Sequence, residues 1–272
     1  MNIASAKNSA PGPGRTSHRR WPANAVRALP FCYAAIVIVL VWQIVVDITK
    51  PDPSILPPPI DVAWTFGHLA GDGELAVHAG YSVARVITAW LLSGIIAIPL
   101  GLLMGSSQHF ERIVNPFVEL LRPISPLAWI PMAILWFGIG ESGKVFVVFI
   151  GTFFPILLST VAGAKGVDPV LLHAGQVFGC TNRLTLFRRV VVPAALPSIV
   201  VGLRVAFGTG WAAIIAAELV AAHSGLGYLI ANGMDILRAD QVLVGMIAIG
   251  VLGFLFDTFF RYLQAHYGRT AR

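Results

Sequence analysis

The chain has 272 residues, of which 56% are hydrophobic and only 12% are charged. Soluble domains carry roughly twice that charged fraction, so the composition excludes an ordinary soluble domain and predicts a polytopic membrane protein. The net charge of +6 does not indicate nucleic-acid binding, because the basic residues fall in the gaps between apolar runs. The two cysteines, Cys32 and Cys180, lie in separate segments and do not predict a disulfide or a metal site.

The N-terminal residues 1–27 are rich in Pro, Gly, Ser and Arg and lack an apolar period, which predicts a disordered tail. The apolar run at residues 29–48 is long enough to cross a membrane. Arg19-Arg20 before this run would also suit a signal peptide, but Trp42-Gln43 stands where a small-residue cleavage site would be needed. We therefore expect a first span that is retained.

Further apolar segments divide the rest of the chain into membrane spans. The predicted spans are residues 29–48, 83–104, 127–139, 144–161, 195–219 and 242–260, within a membrane domain at 28–265 that precedes a short tail at 266–272. Gly101 and Gly105 lie on one face of the second span, where they permit close helix packing. Residues 106–115 are expected to form a loop.

The third span contains an unusual density of proline. Pro116, Pro123, Pro126 and Pro131 fall in one interval, and a helix interior tolerates few such breaks. We expect this span to be broken or kinked, beginning near Leu127. Broken backbone at membrane depth is stable only where protein or a water-filled cavity surrounds it, so the segment is a candidate wall of a transport pathway.

The one long polar and basic interval between apolar segments is residues 163–193. Its pattern predicts a short amphipathic helix, a turn at residues 179–182, and a second short helix that ends at Pro193. Of the 19 Lys and Arg residues, thirteen fall in the N-terminal tail, residues 105–116, this interval and the C-terminus, against three in the opposite loops. This bias predicts that the interval and both chain termini face the cytoplasm.

The sequence contains little that indicates a catalytic site. The segment at residues 138–145 matches a G-x-G-x-x-G pattern and a phosphate loop up to Lys144, but Val145 replaces the residue that would hold magnesium. Both motifs require a soluble α/β unit, whereas membrane spans flank this segment, so we interpret it as a tight glycine-rich turn. The sequence contains no H-E-x-x-H, no G-x-S-x-G and no ligand spacing among its histidines. We expect no catalytic residue, no metal and no cofactor bound by this chain.

Glu218 is an acidic residue near the outer end of the fifth span. A carboxylate there is costly unless it is paired or faces water. Two hypotheses stay open. Glu218 either lines or gates a pathway, or it is held by a nearby donor such as Arg85 or a loop amide.

The 163–193 interval resembles the cytoplasmic coupling loop in the membrane subunits of bacterial ATP-binding-cassette importers. His173-Ala174-Gly175 stands where that family has Glu-Ala-Ala, and Gly179 stands where it has Gly. Val190 matches an aliphatic position, and Val192-Pro193 stands for Leu-Pro. The chain departs from the family pattern at His173, which replaces an acid, and at Gly175, which replaces an alanine.

The resemblance extends over nearly the whole chain. Residues 122–131, 135–141, 217–219 and 224–228 together are similar to the nitrate, sulfonate and taurine branch of the family. The resemblance implies an all-α type I importer permease of about six spans in the bacterial inner membrane. It further implies a second permease copy (a homodimer), two cytoplasmic ATPase subunits that bind ATP, an external solute-binding protein, and no nucleic acid.

Two groups of candidate site residues follow from the resemblance and from the glycine and proline pattern of the third and fifth spans. The residues expected to couple to the ATPase are His173, Ala174, Gly175, Gly179, Arg188, Arg189, Val192 and Pro193. The residues expected to line or gate the pathway are Ser125, Pro126, Trp129, Pro131, Gly208 and Glu218.

Two other classes of protein compete with this interpretation. A stand-alone secondary transporter or channel would need a coupling-ion site or an inverted repeat, and the sequence shows neither. A membrane-embedded enzyme would need nucleophile or metal motifs that the sequence lacks. The solute stays open among aliphatic sulfonates, taurine, nitrate and other small, often anionic compounds.

Overall fold

The computed structural model describes residues 23–180 and 182–270, and every regular element in these ranges is a helix. The α-helices are α1 (Ala23–Thr49), α2 (Pro59–Gly71), α3 (Glu74–Ser106), α4 (Gln108–Leu121), α5 (Ile130–Phe137), α6 (Glu141–Lys165), α7 (Pro169–Val177), α8 (Arg183–Leu186), α9 (Val192–Ala221), α10 (Leu226–Asp235) and α11 (Ala239–Thr270). The chain divides into two compact units, Met1–Lys50 and Pro51–Arg272. The first unit contains α1, and the second contains the other helices.

Several of these helices are long and apolar enough to cross a membrane. Among the described residues, four stretches meet that test, and α4 with α5 and the turn between them adds a fifth if that bent pair is one span. The four stretches are Glu74–Ser106, Glu141–Lys165, Arg183–Asp235 and Ala239–Tyr262. In α1 the shorter segment Ile36–Thr49 is apolar. A polytopic all-α membrane protein is therefore the observed fold class.

The helix ends differ from the sequence prediction at three places. Residues 1–22 of the predicted tail lie outside the described residues, but α1 already begins at Ala23. The C-terminal tail predicted from residue 266 is helical through Thr270, as α11 continues past the membrane length. The loop predicted at residues 106–115 is wrong, because α4 begins at Gln108, where the Ser107 hydroxyl accepts from the Phe110 N–H at 3.4 Å.

The third span is broken between α4 and α5, as its prolines predict. The two halves meet at an angle of 82°. Residues 122–125 form the break, and Pro126–Trp129 is a single 3₁₀ turn before α5. The Ser125 hydroxyl accepts from the Leu127 N–H at 3.4 Å and caps that turn.

The centre of the second unit is α6, which packs against α3 on one side and α9 on the other. A Cβ atom at Gly101 would lie 2.7 Å from the Cβ of Thr160, and one at Gly105 would lie 2.4 Å from the Cβ of Ala164. Small residues thus let the helix backbones approach closely, as membrane helix packing requires. On the other face of α6, the glycines at its contact with α9 are Gly151, Gly163, Gly202 and Gly210.

Candidate functional site

Glu218 lies at the centre of a buried polar network at one end of α9. Its side chain is 1% exposed. One carboxylate oxygen accepts from the Arg85 guanidinium at 2.6 Å, and the other accepts from the Gly227 N–H at 3.0 Å. The Ser82 hydroxyl lies 2.9 and 2.8 Å from the two oxygens. Both donors that the sequence suggested, Arg85 and a loop amide, therefore contact this carboxylate.

Arg85 joins three segments that are distant in the sequence. It is 3% exposed on α3 and contacts Glu218 of α9. It also donates to both oxygens of Glu141 at the start of α6, at 2.7 Å from Nη2. Its remaining donors reach the Ser224 carbonyl and hydroxyl, each at 2.7 Å. Lys144 adds a second cation, 3.0 Å from Glu141, so two positive and two negative groups balance.

The same network fixes the start of α10. The Gly225 N–H donates to His78 Nδ1 at 3.1 Å, and the Leu226 N–H donates to the Ser82 hydroxyl at 2.9 Å. Gly225 has φ +115, a backbone region that other residues rarely adopt, and a Cβ atom there would lie 2.3 Å from the Glu218 carboxyl carbon. Side chains of α3 and α9 thus satisfy amide groups that a helix start leaves without partners.

Most of this network was not predicted from the sequence. The expected partners were Arg85 and Glu218, and His78, Ser82 and Glu141 were given no role. The spacing of His78, Ser82 and Arg85 at i, i+4 and i+7 places three polar groups on one face of an otherwise apolar helix. This stripe of polar residues on an apolar helix was the sequence feature that could have indicated a buried polar network.

A second feature is a cavity of about 430 Å³ between the broken span, α6 and α9. The broken span contributes Pro126 and its neighbours, and α9 contributes Thr209, Ala212 and Ala213. The Thr209 hydroxyl donates to the Gly151 carbonyl of α6 at 2.9 Å. The third and fifth spans, which the sequence suggested as pathway walls, therefore line one space.

The other candidate pathway residues do not meet in this cavity. Ser125 caps the turn beside it, and Pro131 lies in the first turn of α5. Trp129 packs on Trp136 and Phe146, with ring centroids 6.2 and 6.1 Å away. Gly208 lines a separate pocket of about 60 Å³, together with Arg204 and Asp257 among others. Glu218 belongs to the buried network described above.

The coupling-loop candidates fall in two places: His173, Ala174, Gly175 and Gly179 lie in or directly after α7, whereas Arg188, Arg189, Val192 and Pro193 lie in the π turn before α9 and in the first turn of α9. The Cys180 N–H donates to the Gly175 carbonyl at 2.9 Å, and the Gly179 N–H donates to the Gln176 carbonyl at 3.2 Å. This pair of hydrogen bonds is a Schellman motif, in which Gly179 takes the left-handed position with φ +92. His173 Nδ1 lies 2.7 Å from the Pro169 carbonyl, so its ring is held along α7.

The second helix of this loop does not end at Pro193. The chain stays helical from Arg183 through a π turn at Phe187–Val191 and into α9. The Val192 N–H donates to the Phe187 carbonyl, five residues earlier. Because Pro193 has no N–H, the wider turn lets the helix continue where an α-helical bond would be missing. The prediction of a helix end at Pro193 is therefore wrong.

The glycine at position 175, which replaces the alanine of the family pattern, has a local explanation. A Cβ atom at Gly175 would lie 2.8 Å from a methyl group of Val190, so glycine lets α7 pack closely on the π turn. Val177 and Phe178 are 84% and 86% exposed at the tip of the loop. Arg188 and Arg189 are also exposed. The loop thus presents an apolar tip beside basic side chains.

Long apolar helices, a proline-broken span and an exposed loop between spans define a multi-pass membrane protein. Residues 97–270 match the family of binding-protein-dependent transport system inner membrane components, and the chain belongs to that family.

Three curated proteins illustrate the relationship along nearly the full length. The chain is 36% identical to the taurine transport system permease protein of Escherichia coli, over 90% of each chain. It is 37% identical to an E. coli permease protein assigned to aliphatic sulfonates transport, over 92% of this chain and 93% of that protein. It is 30% identical to the nitrate import permease protein of Synechocystis, over 85% and 86%.

The fold is also found in a solved transporter. An inward-facing structure of the MetNI methionine ABC transporter contains a chain that superposes with a TM-score of 0.63 at 18% identity. The match covers 70% of this chain and 94% of that chain. The protein is therefore a multi-pass permease subunit of an ABC importer with the fold of this class of permease.

Proposed function

We propose that this permease imports a small oxyanion or zwitterion of the sulfonate, taurine or nitrate class. The observation that carries the proposal is similarity over about nine-tenths of the chain to permeases named for taurine and aliphatic sulfonates. The cavity beside the broken span supports it, because its described lining contains no carboxylate that would repel an anion. Glu218, an acid further along α9, is neutralised by Arg85.

The passage would form between two copies of this chain. In one copy the cavity is lined by the broken span, α6 and α9. A second copy that faces the first through these elements would enclose a central route, so a homodimer is the proposed assembly. Ser125, Pro126, Trp129 and Pro131 would shape one wall, Gly208 would leave space on α9, and Glu218 would hold the network at the end of that wall.

In this proposal, two separate cytoplasmic subunits bind and hydrolyse ATP, and this chain itself binds no cofactor. The apolar tip at Val177 and Phe178 would enter a groove on the ATPase, and Arg188 and Arg189 would meet acidic groups at its rim. His173, Ala174 and Gly175 would form the face of α7 behind that tip, and Val192-Pro193 would pass the movement to α9. An external binding protein would deliver the solute to the opposite side.

Reconstitution tests this proposal. The permease, its ATPase subunits and its binding protein are placed in proteoliposomes, and uptake of labelled taurine, ethanesulfonate and nitrate is measured with ATP on the side of the ATPase. We expect uptake of at least one of these solutes, and we expect it to stop when ATP, the ATPase or the binding protein is omitted. Uptake that continues without the ATPase would instead support a stand-alone transporter, and uptake of none of the three would refute the solute class.

A further inference from the structure

Arg122 is a cation at the break of the third span, and its contacts differ from those of Arg85, Lys144 and Arg204. Arg85 and Lys144 contact carboxylates, and Arg204 donates to Asp257 at 3.0 and 2.8 Å. Within residues 23–180 and 182–270, the Arg122 side chain makes no hydrogen bond or ion pair, while its backbone N–H donates to the Val118 carbonyl at 2.9 Å. A cation in a membrane segment is expensive unless it has a partner or faces water. Arg122 is exposed at this break, so its guanidinium is accessible to water or to a solute from outside this chain.

The surroundings of Arg122 indicate what that solute is. Arg122 lines the cavity of about 430 Å³, and it is the one charged side chain among the described residues that do so. The other walls are apolar or small, apart from the Thr209 hydroxyl, which is already bonded to Gly151. Apolar walls around one charge focus its field, so the cavity attracts small ions of opposite sign.

We propose that Arg122 makes this cavity a transient binding site for a soluble oxyanion such as a sulfonate or nitrate on its way through the passage. The guanidinium would hold two oxygens of such an anion in a bidentate manner. The inference rests on the proposed function for the identity of the anion. The electrostatic preference of the cavity is a separate property that can be measured without transport.

The test places a reporter thiol in the cavity. Ala212 is exposed and lines the same space, so Ala212→Cys is made in a chain whose Cys32 and Cys180 are replaced by serine. The full transporter is assembled in phosphatidylcholine vesicles at low ionic strength. The measured quantity is the ratio of reaction rates with two thiol reagents, the anionic sulfonatoethyl methanethiosulfonate and its cationic trimethylammonium counterpart.

We expect Arg122→Gln to lower this anion-to-cation ratio about tenfold, the lower end of the range for electrostatic focusing. Arg122→Lys keeps the charge and should keep most of the preference. The matched control is Arg112→Gln, because Arg112 is an exposed cation on α4 that does not line the cavity. In the protein that retains Arg122, the anion-to-cation ratio should be lower at high ionic strength than at low ionic strength. This comparison needs no substitution of Arg122.

Several outcomes would overturn the proposal. A ratio that is equal in the Arg122 and Arg122→Gln proteins, or a ratio in the Arg122 protein that salt does not change, would show that Arg122 does not set the potential of the cavity. A thiol at residue 212 that reacts with neither reagent would show that the cavity is closed in the assembly. Loss of the preference when phosphatidylglycerol is added would assign Arg122 to a lipid headgroup instead. Failure of ATP-driven uptake with a normal reagent ratio would refute the proposed function and leave the anion site standing.

Discussion

At the residue scale, Arg85 and Glu218 differ in how many oppositely charged partners each has in the network. Glu218 has one cationic partner, Arg85, and is 1% exposed. Arg85 has a second carboxylate, Glu141, whose side chain is 60% exposed and which also contacts Lys144. Removing Arg85 would leave a buried charge without its counterion, whereas removing the charge of Glu218 would leave Arg85 paired.

We therefore expect Arg85→Gln to destabilise the folded protein by about 3–5 kcal/mol, the usual cost of breaking a buried pair from one side. Glu218→Gln should cost less, and the double variant should be more stable than Arg85→Gln alone. The unfolding midpoint of the purified transporter in nanodiscs measures this order. Glu119→Gln is the control, because Glu119 is an exposed carboxylate that contacts only Asn115 among the described residues.

The same variants distinguish a structural role from a pathway role. Glu218→Gln should impair assembly or gating while leaving the relative uptake of taurine, ethanesulfonate and nitrate unchanged. A changed preference among these solutes with unchanged stability would show that Glu218 lines the route.

At the element scale, the turn after α7 shows why one glycine is required in the coupling loop. Gly179 has φ +92, and nothing in the described chain lies within 4 Å of the place its Cβ would occupy. A larger residue would thus strain the backbone without an internal clash. The open space around Gly179 also means that a side chain there would project toward whatever docks on the loop.

Gly179→Leu and Gly179→Asn form a matched pair that tests this turn. Asparagine adopts left-handed backbone more readily than other residues, whereas leucine pays about 1–2 kcal/mol for it. We expect the leucine variant to insert normally but to lose transport and to hydrolyse ATP independently of solute. The asparagine variant should retain more of both activities. Uptake and ATPase rates in proteoliposomes measure the difference, and full transport by the leucine variant would remove the coupling role of this turn.

At the scale of the whole molecule, charge sets the expected orientation. The exposed Arg183 begins α8 in the interval that contains the coupling-loop residues, and the exposed Asp235 ends α10. The excess of Lys and Arg in the loops on the side of Arg183 predicts that this side is cytoplasmic. The coupling role depends on that orientation, because the ATPase is reached only from the cytoplasm.

Cysteine labelling tests the orientation directly. In the chain without its native cysteines, Arg183→Cys should react with an impermeant thiol reagent only in inside-out vesicles. Asp235→Cys should react only in intact, right-side-out cells. The reverse pattern would place the coupling loop outside and would refute the coupling proposal as a whole.

The sequence by itself determined the features that depend on local chemistry. Apolar length identified four of the six predicted spans as membrane-length helices, proline density indicated the break in the third span, and the spacing of Gly101 and Gly105 indicated close packing. Motif similarity identified the family. Each of these properties depends on residues that are close together in the sequence, so it can be recognised without knowledge of tertiary contacts.

Only the tertiary structure decided which distant residues meet. It joined Arg85 to Glu141, Glu218 and Ser224, which lie 56 to 139 residues away. It also placed Arg122, whose side chain has no hydrogen-bond or ion-pair partner among the described residues, in the lining of the cavity beside α9. It also showed that the helix continues past Pro193, since a π turn absorbs the missing N–H. Pairing between charges depends on the packing of α3, α6 and α9 in three dimensions. A linear pattern therefore indicates that a buried charge needs a partner without indicating which one it has.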